Sequence, residues 1–106
     1  MNGNNEVGKL VRNRIPQLIR DTGAEPITYT ASPDEYRAQL RDRLREKVAD
    51  FLAADSEVEK LSAVREVVYA LAADLGVDAK QLEEIRAAKA AARGGFGDRI
   101  IWEGNR

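Results

Sequence analysis

Residues 32–76, SPDEYRAQLRDRLREKVADFLAADSEVEKLSAVREVVYALAADLG, decide the fold. They read as two long amphipathic helices joined by a tight connection near Ala54 and Asp55. In Ser32-Pro33-Asp34-Glu35 a hydroxyl stands at the N-cap and a proline at the first helical position. The carboxylate three residues on can reach back to the cap amide. Ser56-Glu57-Val58-Glu59 repeats this box for the second helix, and Gly76 can take the left-handed conformation that closes its end.

Tyr36, Leu40, Leu44, Val48, Phe51 and Leu52 fall at spacings of three and four, so they form one stripe along the first rod. Leu61, Val64, Val68, Leu71 and Leu75 do the same on the second at near-heptad spacing. Two antiparallel helices and short flanking segments cannot bury both stripes, so a partner surface is expected.

Lys47 and Lys60 interrupt these stripes. On a wheel of about 100° per residue, Lys47 lies between the directions of Tyr36 and Leu40, and Lys60 lies beside Leu71. Asp50 and Ala63 sit on the shoulders of the same faces, while Glu46, Glu59 and Glu66 are expected to point away. An ammonium aimed at an apolar face costs free energy unless it snorkels or is paired. Two readings follow: the lysine stems reach water where the helix pair opens at the connection, or the open end holds a polar pocket.

Composition narrows the chemistry. A chain of 106 residues is one domain, with residues 1–8 a loose polar start and residues 9–106 the helical unit. Seventeen basic and eighteen acidic residues are scattered through it, which argues against a nucleic-acid or membrane-surface partner. Cysteine and histidine are absent, which excludes disulfides, thiolate chemistry, imidazole catalysis and a His/Cys zinc site. The start lacks the apolar run of a signal peptide, and a soluble, cytoplasmic protein is expected.

Outward from the pair, Lys9-Leu10-Val11-Arg12-Asn13-Arg14-Ile15-Pro16 interleaves cations with apolar residues, and its proline can open a short helix that Gly23 ends. Arg12 and Arg14 suit either a two-pronged grip on phosphate or a solvated edge. Pro26-Ile27-Thr28-Tyr29-Thr30 reads as a short strand. Arg99-Ile100-Ile101-Trp102 is its expected mate in a small two-stranded ribbon. Asp78 begins a further helix with Gln81 at the box position, and Leu82 and Ile85 supply its apolar contact. On that helix Arg86, Lys89 and Arg93 share one face running to the end, where the macrodipole favours cations whatever their function. Gly94-Gly95-Phe96-Gly97 breaks it with a loop carrying one large apolar side chain.

Three of these stretches occur together in a known pattern: Lys9 to Pro16, the helix pair through Glu66-Val67-Val68-Tyr69-Ala70-Leu71, and Arg93-Gly94-Gly95-Phe96. In this order and spacing the chain resembles the MazG-like and phosphoribosyl-ATP pyrophosphatase-like members of the all-α nucleoside triphosphate pyrophosphohydrolase superfamily, over nearly its whole length after Gly8. The resemblance implies a homodimer or higher oligomer on a four-helix core, with Mg²⁺ held by carboxylates. It also implies cleavage of a nucleoside triphosphate to monophosphate and pyrophosphate.

The family's metal ligands follow E-E-x-x-E on the first helix and E-x-x-D on the second. The first element aligns with Glu46, Lys47 and Asp50, the second with Lys60 and Ala63. A further aspartate of the family stands here as Asn13. Glu46 and Asp50 are thus the remnant of the metal motif, and the two wheel-flagged lysines occupy positions where the family puts inward carboxylates.

Three functions are compatible with this chain. One is an active pyrophosphohydrolase with an altered metal site, for which Glu59 and Glu66 are the spare acids. Another is an impaired relative in which Lys47 and Lys60, with Arg12, Arg86, Lys89 and Arg93, bind a nucleotide or another phosphorylated small molecule directly. The third is a non-catalytic helical dimerisation module whose lysines pair with acids across an interface.

Overall fold

The computed structural model describes residues 8–55 and 57–106, and among them it holds four helices and no strand. Helix α1 (Ile15–Asp21) opens on Pro16 and turns out through Gly23, whose amide donates to the Arg20 carbonyl at 2.9 Å. Helix α2 (Pro33–Ala53) starts as its sequence asks: the Ser32 hydroxyl accepts from the Glu35 amide, with Pro33 in the first turn. The return half of that box goes elsewhere, because the Glu35 carboxylate accepts the Tyr29 hydroxyl proton at 2.6 Å. That hydrogen bond and the nearby negative charge hold the Tyr29 phenol above its ordinary pKa.

Helix α3 (Val58–Asp74) has Glu57 at its N-cap, with no side-chain cap. The box expected on Ser56 lies outside the described residues. At the other end Gly76 takes φ +85°, its amide donating to the Ala73 carbonyl at 3.0 Å and the Val77 amide to the Ala72 carbonyl at 2.9 Å. This pair of reversed bonds is the Schellman closure, which the missing Cβ of glycine permits. Helix α4 (Ala79–Arg93) carries a complete capping box between Asp78 and Gln81.

The packing is a hairpin of α2 on α3, with α4 laid against α3. Arg37, in the first turns of α2, donates to Asp74 at the end of α3 over 2.8 Å, which fixes the two helices antiparallel. Leu40 and Ala72 are the buried residues among those described, both toward the Arg37–Asp74 end of the hairpin. The N-terminal segment crosses both helices, since the Leu10 amide donates to Gln39, Gln39 donates to the Gly8 carbonyl and Arg12 reaches Glu66.

Much of the expected stripe stays open in a single chain. Val48, Leu52, Leu61 and Leu75 are exposed, and Ile85, expected to anchor α4, is 58% exposed while Leu82 is half-buried. Accessible surface is 9271 Å², against roughly 5,900 Å² for a compact monomer of this mass. The radius of gyration is 18.2 Å, where a compact chain of this length gives roughly 13 Å.

No strand forms among the described residues, so the expected ribbon is not present in this single chain. Ile27 and Tyr29, like Ile100, Ile101 and Trp102, are exposed and belong to no strand. Strand propensity needs a mate to supply hydrogen bonds and a face to pack on, and in one copy neither segment finds one.

Candidate functional site

Near the α2–α3 connection the two helices and the N-terminal segment enclose a cleft of about 380 Å³, lined by Arg12, Lys47, Asp50, Glu59, Lys60, Ser62, Ala63 and Glu66. Its position follows from the sequence. Lys47 and Asp50 are one turn apart on α2, Lys60 and Ala63 one turn apart on α3, and the short connection at residues 54–57 brings those turns face to face. Ala63 adds only a methyl group, so space is left between the rods.

Both lysines are half-buried, not sealed in the core. Lys60 lies 3.9 Å from Glu57 with its side chain 41% exposed, and no ion pair holds Lys47 among the described residues. Arg12 pairs with Glu66 across the mouth, both side chains well exposed. Such exposed pairs contribute about 0–1 kcal/mol, and an incoming anion can displace them.

Glu59 and Glu66, expected to point away, share this cleft with the lysines. On the wheel Ala63 lies between the directions of Lys60 and Glu66, and the cleft opens along that arc instead of along the apolar stripe. Glu59, Ser62 and Glu66 repeat at spacings of three and four, a polar stripe next to the apolar one that could have been read from the chain.

Glu46 is not part of the cleft. Its carboxylate accepts from Lys9 at 2.6 Å and from Arg43 at 3.1 Å in a second cavity of about 310 Å³ lined also by Gln39, Asp42 and Arg45. The remnant pair Glu46 and Asp50 is therefore divided between two sites. The hydrogen bond from Lys9, helped by the charges of Lys9, Arg43 and Lys47 and opposed by desolvation, holds the Glu46 carboxyl below its ordinary pKa. A depressed carboxyl pKa contributes stability above the unfolded glutamate range, and that stability disappears as the pH falls through the lowered folded value. Glu46→Gln is expected to flatten the acid limb of thermal stability below the ordinary glutamate range, read as melting midpoint against pH; an unchanged limb would remove the Lys9 clamp as its source.

Arg86, Lys89 and Arg93 are exposed on α4 and do not line the cleft. Arg86 makes a two-pronged pair with Glu83 at 2.8 and 2.6 Å, which pushes the Glu83 carboxyl below its ordinary pKa. No helix is long and apolar enough to cross a membrane among the described residues.

No family model matches the chain, and no solved structure matches it. The chain is similar to an uncharacterized protein of Mycolicibacterium smegmatis (strain ATCC 700084 / mc(2)155), 50% identical over 50 residues. These are 47% of this chain and 51% of that protein, so the match spans about half the length of each.

Proposed function

We propose that the α2–α3 cleft binds the phosphates of a nucleotide, or of another phosphorylated small molecule, without a metal ion. The scaffold is that of a nucleotide pyrophosphohydrolase whose own catalysis is impaired. The observation that carries this is the meeting of Lys47 from α2, Lys60 from α3 and Arg12 from the N-terminal segment in one cleft. Its volume, about 380 Å³, is within the range of small-molecule sites, roughly 300–1,000 Å³. A guanidinium presents a fork to phosphate oxygens and each ammonium a point charge, so the three can share one polyphosphate.

The donor set does not fit a resident Mg²⁺. That ion takes oxygens in near-octahedral geometry, yet Glu46 is turned onto Lys9 and Arg43, and two ammoniums stand beside Asp50. Among the described residues no three acids are grouped to hold a metal.

A homodimer belongs to the same reading, with α2 and α3 of two copies forming a four-helix core. The exposed stripe residues and the excess of surface over a compact monomer support it.

A second reading, a helical interaction module, draws on the charge balance of the cleft. Arg12, Lys47 and Lys60 face Asp50, Glu59 and Glu66, equal numbers of each sign. Calorimetry with pyrophosphate and a panel of nucleoside triphosphates in chelator separates the two. Saturable binding without turnover, including after Mg²⁺ or Mn²⁺ is restored, is expected. Metal-dependent pyrophosphate release would overturn the impaired reading, and absence of binding in chelator would leave the interaction module.

A further inference from the structure

Residues 8–12 cross α2 outside any helix, and side chains hold them there. The Gln39 amide oxygen accepts from the Leu10 amide at 3.2 Å while its NH₂ group donates to the Gly8 carbonyl at 3.3 Å, so one side chain engages the segment's backbone on both sides of Lys9. Lys9 itself reaches Glu46 at 2.6 Å. Gln39 and Glu46 are seven residues apart on α2, about two turns, so they share a face of that helix and grip the segment at two levels. Beyond the grip stands Arg12, exposed, with its guanidinium on Glu66 of α3. Helix α1 follows directly, and among the described residues none of its Cα atoms comes within 8 Å of a Cα of another helix, so it gives Arg12 little support.

We propose that Gln39 is a positioning residue for the phosphate cleft: its amide, aided by the Lys9–Glu46 pair, holds residues 8–12 on α2 so that Arg12 stands at the mouth, where a phosphate replaces Glu66 as its partner. This inference rests on the phosphate-binding reading of the cleft and adds to it the means by which the third cation is kept in place. Lys47 and Lys60 are carried by α2 and α3, whereas Arg12 sits on an irregular segment. Without the grip, that segment would have to be ordered at the moment of binding, which costs about 2- to 10-fold in affinity for each side chain so immobilised. The Arg12–Glu66 pair is too exposed to substitute for it, since such pairs hold weakly.

Calorimetry with pyrophosphate in chelator compares the full chain with Gln39→Ala, Arg12→Ala and the two combined. Arg12→Ala is expected to weaken binding about 10-fold or more, and Gln39→Ala about 3- to 10-fold. The combined variant should stay within about twofold of Arg12→Ala alone, because Gln39 acts only through Arg12; a merely structural role would let the losses multiply. Multiplied losses, or native-like binding by either single variant, would overturn the positioning role while leaving the cleft a phosphate site. A native chain that does not bind would remove the proposed function and this inference with it. Glu46→Gln carries the same test should circular dichroism show that Gln39→Ala loses its helices. Removing an acid near an anion site strengthens binding by charge alone, so weakening confined to chains that keep Arg12 is the expected result, and equal or stronger binding would overturn the grip.

Discussion

Reversing both cleft lysines, Lys47→Glu with Lys60→Glu, is expected to weaken metal-free pyrophosphate binding by about 100-fold or more. Each charged hydrogen bond removed is worth roughly 1.5–3 kcal/mol, so the two bonds alone account for that loss. Two new carboxylates beside Asp50, Glu59 and Glu66 would then repel the anion. The neutral pair Lys47→Gln with Lys60→Gln should fall between the reversed and native proteins. Calorimetry in chelator measures all three, and far-ultraviolet circular dichroism checks that the helices survive. Equal affinity across the series would show that neither ammonium touches the ligand.

Leu40→Ala is expected to have the largest effect on stability, a loss of about 2–5 kcal/mol, because the truncation leaves a cavity as well as losing apolar transfer free energy. Leu40 is 4% exposed, and among the described residues only Ala72 is buried with it. Against a total of roughly 5–15 kcal/mol for a typical domain, such a loss brings the chain near unfolding at room temperature. Urea melts at one fixed protein concentration should show it, since the proposed association would also contribute to apparent stability. Leu52→Ala, at a residue 73% exposed in one copy, serves as the contrast. If Leu52→Ala costs more than Leu40→Ala, the core lies between copies rather than within the hairpin.

Local chemistry was the most legible part of the chain. Ser32 with Pro33, Gly76, and Asp78 with Gln81 mark their helix ends through bonds that span only a few residues, and the structure forms those bonds. The cleft was partly legible. Lys47 and Lys60 stand out because a cation breaks an apolar stripe, and both line the cleft. Glu59 and Glu66 were misplaced because a wheel gives directions around one helix and says nothing of where its neighbour leaves space. Arg86, Lys89 and Arg93 share a helical face, yet a face shows no contact until the packing of α4 is known. The ribbon is not formed among the described residues of one chain, and propensity could not decide it: it names candidate strands, but pairing depends on what lies alongside.

The connection between α2 and α3 carries a consequence for how the molecule assembles. Since the two rods are joined by a few residues, closing the hairpin costs little loop entropy, and its contacts are mostly between residues near in sequence. Such topologies form in microseconds to milliseconds. If the proposed homodimer forms, the stage that joins two chains would run instead at a rate set by how often two closed hairpins meet, so protein concentration rather than hairpin closure would govern the speed of assembly.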